Sequence, residues 1–167
     1  MITIPDICMP IVRNVRTKEE RDMLAEEMSE LEATLFRSGQ EAFEKVLSTR
    51  LSERMASAMR DILGRQEFKN NSENLRIFFH DVKNVLDTFV PLRLTIAVKP
   101  SEEMIDRLHE WVQKNLGIGV ILDIGYDGSI RGGARIIFNG RYREMTLAQM
   151  ITDTLAKEKT TVMGMIK

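Results

Sequence analysis

From Thr17 to about Leu63 the chain has no proline and one glycine, Gly39, and its apolar residues recur at helical spacing. Leu24, Met28, Leu31 and Leu35 form one stripe, which Phe43, Leu47, Leu51, Met55, Met59 and Ile62 continue, and charged residues fill the other faces. A single helix through this stretch would measure about 70 Å at about 1.5 Å per residue. That is longer than a small domain needs, and an apolar stripe of such length has to be covered. The pattern predicts a coiled-coil-like arm whose ten stripe residues face a partner helix. Thr17 and Glu20 are spaced as a capping box that starts it. The steps along the stripe are 4, 3 and 4, then mostly 4, so the mean exceeds the 3.5 of a leucine zipper. Gly39 costs about 1 kcal/mol inside a helix. It marks either a continuous arm, which is the preferred reading, or the turn of a helical hairpin.

The sequence divides into a leader at 1–16, a helical arm region at 17–90, a small α/β domain at 91–158 and a tail at 159–167. Pro5 and Pro10 disfavour helix in the leader, which reads as a flexible tail or docking strand, with Cys8 as a small buried hydrophobe. After a turn at 64–72, Leu75, Phe78, Phe79, Val82, Val85, Leu86 and Phe89 predict a core helix that Pro91 ends. His80 falls beside that face and reads as a surface residue. The period then changes to two: Leu92, Leu94, Ile96 and Val98 alternate with polar residues, a strand with one apolar face. Ser101 caps a further helix, on which Trp111 reads as packing and His109 as surface. Strands follow at Ile118–Ile124, Ala134–Phe138 and Arg141–Met145, the last two joined by Asn139-Gly140, a strong type I′ hairpin signal. Thr146 and Gln149 form a second capping box before a last helix carrying Leu147, Met150, Ile151 and Leu155. The fold class is therefore α+β: a long helix and a second helix, then a small mixed sheet in the order strand-helix-strand-strand-strand-helix.

Composition narrows the functional classes. The formal net charge is −1, which gives no bulk attraction to nucleic acid or anionic membrane. One cysteine forms no internal disulfide, which fits a reducing compartment, and two histidines with one cysteine are too few for most metal sites. No apolar run approaches the roughly 20 residues of a membrane span, so a cytoplasmic protein is expected, reaching a membrane only through partners.

No catalytic, cofactor-binding or metal-binding constellation stands out. The loop Tyr126-Asp127-Gly128-Ser129-Ile130-Arg131-Gly132-Gly133 lacks the lysine and the Ser/Thr of a phosphate-binding P-loop and the G-x-G-x-x-G spacing of a dinucleotide site. Asp123 and Asp127 read as a solvated strand end. Gly125-Tyr126-Asp127-Gly128 has the letters of a KH-type RNA-binding loop, but it joins two predicted strands where that domain joins two helices.

The order of elements and several short motifs resemble the C-terminal domain of the F-type ATP synthase delta subunit family, which includes the oligomycin-sensitivity-conferring protein. Ala97-Val98-Lys99-Pro100-Ser101 stands where the family has Ala-x-Pro-Leu-Ser. Asp127-Gly128-Ser129-Ile130-Arg131-Gly132-Gly133 stands where it has Asp-Pro-Ser-Leu-Ile-Gly-Gly, and Glu144-Met145-Thr146-Leu147 where it has Asp-x-Ser-Val. Asp127, Ser129, Gly132, Gly133, Glu144 and Thr146 are the residues that carry the likeness. Gly128 and Arg131 depart from it. The arm-like front also departs from the family's helical bundle and looks more like the V/A-type ATPase E subunit or an export-ATPase stator. The resemblance implies a non-enzymatic peripheral-stalk subunit in a hetero-oligomer with subunit b and the alpha/beta head, held at the inner membrane by its complex and needing no cofactor. The alternatives are a flagellar or type III secretion stator protein, or a free-standing RNA-binding or adaptor module with a dimerising coiled coil.

Overall fold

The computed structural model describes residues 5–65, 72–146 and 150–151; the side chains at 35–44, 46–48, 50, 54, 72 and 146 lie outside that description. A 3-10 turn, Asp6–Cys8, leads into α1 (Met9–Val12), followed by α2 (Lys18–Arg50), α3 (Glu53–Leu63) and α4 (Ser72–Asp87). Then come β1 (Val90–Ile96), α5 (Glu102–Leu116), β2 (Val120–Tyr126), β3 (Gly133–Phe138) and β4 (Arg141–Thr146). The expected α+β class is the observed one. Of the expected last helix, Met150 and Ile151 are helical and the remainder lies outside the described residues.

The chain forms two compact units. One takes residues 1–90 and 109–121, the other residues 91–108 and 122–167. The first change of unit falls between residues 90 and 91, and the second half of α5 with the start of β2 belongs to the helical unit.

Thr17 starts α2 as its spacing requires: its hydroxyl accepts from the Glu20 amide at 3.2 Å. The reciprocal bond of the capping box is redirected, because the Glu20 carboxylate accepts from the Arg16 amide at 2.7 Å and from Arg16 Nε at 2.9 Å. The helix then runs unbroken through Gly39 for 33 residues. The expected single arm to Leu63 does not form. Leu51 turns extended, with ψ 150°, and Ser52 caps a new helix by accepting from the Met55 amide at 3.4 Å. Ser52-Glu53 was the available signal: a capping hydroxyl followed by an acid in the first turn.

In the helical unit Leu24, Met28 and Leu31 of α2, Met55, Met59 and Ile62 of α3, and Phe78, Phe79, Val82, Val85 and Leu86 of α4 share one buried cluster. Phe78 and Phe79 set their rings 5.7 Å apart at a 52° tilt, a favourable aromatic geometry. The leader belongs to this cluster through Cys8, Ile11, Val12 and Val15. That corrects the expected flexible tail. Pro10 sits in the first turn of α1, where its missing N–H costs nothing.

The sheet has the order β2-β1-β3-β4. Val90 donates to the Gly119 carbonyl at one end of the β1–β2 pair and Asp127 donates to the Ile96 carbonyl at the other, so β1 and β2 run parallel. β1 with β3, and β3 with β4, are antiparallel, so the sheet is mixed. Pro91 is tolerated at the start of the central strand β1, where it removes no interior ladder bond. Leu92, Leu94 and Ile96 are buried in alternation, as the period of two predicts. Leu122 and Ile130 of the same unit are buried as well. Asn139 and Gly140 take φ of 49° and 73° between the closing pair Phe138 and Arg141, the expected I′ hairpin.

Candidate functional site

Two candidate regions come from the sequence: the apolar stripe and the loop that carries the family likeness. The structure treats them differently. Of the ten stripe residues, Leu24, Met28, Leu31, Leu51, Met55, Met59 and Ile62 are buried in the chain's own core. The side chains of Leu35, Phe43 and Leu47 lie outside the described residues. The expectation that the seven buried residues face a partner helix is therefore corrected. The break at Leu51–Ser52 gives these seven residues an intramolecular partner, and α4 and the leader pack in the same cluster. A tie across α2 and α4 supports this packing, with Lys83 Nζ donating to Glu32 Oε2 at 2.7 Å.

The second region lies where β2 turns into β3. Asp127 follows the last residue of β2, and its Oδ1 accepts from the Ser129 amide at 2.9 Å and from Ser129 Oγ at 2.6 Å. This is the local turn an aspartate makes two residues before a serine. Asp127 Oδ2 accepts from Arg135 Nη1 at 3.1 Å. On the same face Arg135 Nε lies 3.7 Å from Glu144 Oε1, and the Tyr142 hydroxyl donates to Glu144 Oε2 at 2.8 Å. The two Ser129 hydrogen bonds, and then the Arg135 charge, hold the Asp127 carboxyl below its ordinary pKa. The bond to Glu144 raises that of the Tyr142 phenol. Gly132 and Gly133 close the turn at φ 85° and 96°, a region L side chains rarely adopt. Gly133 opens β3 directly opposite Thr146, the last residue of β4. The fold thus gathers Asp127, Ser129, Gly132, Gly133, Glu144 and Thr146 around one end of the β3–β4 hairpin.

Arg135 and Tyr142 complete this network without having been singled out in the sequence. Counting outwards from Asn139-Gly140 pairs Phe138 with Arg141 and hence Arg135 with Glu144, so the hairpin signal held the information. The network is a latch. Its serine hydroxyl donates to the Asp127 carboxylate, and its one guanidinium, Arg135, lies between the carboxylates of Asp127 and Glu144.

The remaining candidate side chains lie apart from the latch. Asp123 accepts from Arg93 Nε at 3.0 Å, which makes it a paired strand residue. His80 is exposed and, with Glu32, Arg76 and Ile77, lines an open groove of about 340 Å³ on the helical unit. His109 and Trp111 exchange their expected roles: His109 is 6% exposed and Trp111 is 55% exposed. The inward row of α5 contains His109 and Val112, one helical step of three, and Trp111 falls off it. Gln113 Nε2 lies 2.9 Å from His109 Nε2, which gives the buried ring a polar neighbour. Cys8 is fully buried, and burial followed by the Asp81 charge pushes its thiol pKa up to about 11. Among the described residues no group of three or more His, Cys, Asp or Glu is arranged to hold a metal, and no helix is long and apolar enough to cross a membrane.

No protein-family model matches the chain, and no curated protein matches it. Among solved structures it is similar to a chain of the Toxoplasma gondii mitochondrial ATP synthase hexamer, with 12% identity, a TM-score of 0.34, and 81% of this chain and 86% of that chain covered.

Proposed function

We propose that the chain is a non-catalytic peripheral-stalk subunit of a rotary, proton-translocating ATP synthase. In this reading it links the membrane-bound stator to the catalytic head and resists rotor torque. The observation that carries the reading is the Asp127-to-Gly133 loop. It stands between the second strand and the hairpin, in the same element order as the C-terminal domain of the delta family it resembles, and each signature residue there has a structural task. A latch in which one guanidinium ties two carboxylates on a small sheet suits a part that transmits force and makes no bonds.

The packed front of the chain changes the comparison within this class. A bare arm resembles the E subunit, whereas a helical core followed by a small α/β unit resembles a shortened delta subunit. Subunit b and the alpha/beta head are the proposed partners, and the complex is the proposed means of holding the chain at the inner face of the membrane. Helix α2 is about 50 Å long and α4 about 24 Å, so α4 alone cannot pair with the whole of α2. The remaining length is the proposed place for a stalk helix.

The test is affinity purification of the full chain from its own cells in mild detergent. Recovery of subunit b with alpha and beta, together with release of ATPase activity from membranes when the chain is deleted, is expected. Recovery with RNA and without ATPase subunits would overturn the reading.

A further inference from the structure

We propose that the outer edge of β4 binds an extended peptide segment in which acidic and apolar residues alternate. The proposal does not rest on the stalk reading. Among the described residues no strand lies beyond β4, which ends the sheet order. The two-residue turn makes Phe138 and Arg141 the closing pair, which exchanges both its hydrogen bonds. Alternation then turns the backbone N–H and C=O of Arg141, Arg143 and Met145 towards β3. The same groups of Tyr142 and Glu144 point outward, ready to pair with an added strand.

The side chains specify the occupant. On one face Glu144 is held by Arg135 and Tyr142, so that face offers no net attraction, while Tyr142 remains 58% exposed as an apolar platform. On the other face Arg141 and Arg143 are exposed, with no ion-pair partner among the described residues, and Met145 beside them is 55% exposed. A strand laid along this edge therefore meets cations opposite alternate residues and an apolar ring between them. Acids opposite Arg141 and Arg143, and a β-branched or aromatic residue opposite Tyr142, complement it.

A second copy of this chain does not. Antiparallel self-pairing that keeps the faces matched sets Arg143 against its own copy, Arg141 against Arg143, or Glu144 against its own copy. Like charges directly opposite destabilise such pairs. The arginines thus guard the edge against homotypic pairing and leave it open to an acidic strand.

The experiment is fluorescence anisotropy on the full chain with a labelled peptide alternating Glu and Val. Controls are a peptide of identical composition with the acids grouped at one end, an alternating Lys/Val peptide, and the Glu/Val peptide N-methylated at alternate amides. Binding by the alternating acidic peptide alone is expected, weakening with salt and falling about tenfold or more on N-methylation. The double variant Arg141→Glu/Arg143→Glu is expected to lose affinity by about tenfold or more with an unchanged melting curve. If it does not fold, Arg141→Gln/Arg143→Gln takes its place. No binding, equal binding by the grouped or N-methylated peptide, or undiminished binding by the double variant overturns the proposal.

Discussion

Asp127 shows how much one side chain contributes to the loop. Its carboxylate takes two hydrogen bonds from Ser129 and one from Arg135, and its pKa is held below the ordinary value. A carboxyl with a depressed folded-state pKa adds stability above its unfolded pKa, near 3.9, and loses it as the pH falls through the lower folded value. Wild type is therefore expected to melt above Asp127→Asn at pH 7, with the gap closing below about pH 4; thermal melts across that range measure it. Gly133→Ala at φ 96° is expected to cost on the order of 1 kcal/mol or more, read from chemical denaturation. Cys8 is expected to resist thiol reagents at pH 8 in the native chain and to react fully in denaturant, because it is buried and its pKa lies near 11.

At the scale of elements, the decisive event is the break between α2 and α3. Ser52→Ala removes the cap of α3 and is expected to cost about 1 kcal/mol. Met59→Ala, at a fully buried point of the shared core, is expected to cost about 2–5 kcal/mol. If Met59 served only a partner-facing stripe, the isolated chain would lose little on the same substitution. Denaturant titration of the isolated protein separates the two. The Lys83–Glu32 tie, with both side chains partly exposed, is worth about 1 kcal/mol or less, so Glu32→Gln is expected to shift the midpoint only slightly.

For the whole molecule, the two units do not follow one cut in the sequence. Residues 109–121 return to the helical unit, and Ile121 lies in its core cluster. A fragment ending at residue 90 lacks them and is therefore expected to unfold at lower denaturant concentration than the full chain. Circular dichroism against urea checks this, and equal midpoints would argue against the contribution of Ile121 to that core.

Local patterns sufficed for the elements and the loop. A period of 3.6 marked the helices, a period of two marked β1, Thr17 and Ser101 marked helix starts, and Asn139-Gly140 fixed the hairpin register that places Arg135 opposite Glu144. These depend on backbone geometry and near neighbours, which a sequence displays directly. The identity of what covers each apolar face was not legible. A stripe states that it must be buried and is silent on whether a second chain or its own continuation buries it. The break at Leu51–Ser52 decided that for Leu24, Met28, Leu31, Leu51, Met55, Met59 and Ile62. The same limit exchanged His109 with Trp111, since a helix shows its faces in sequence but only packing selects the one turned inward. Tertiary structure decided these points because burial depends on contacts between residues far apart in the chain.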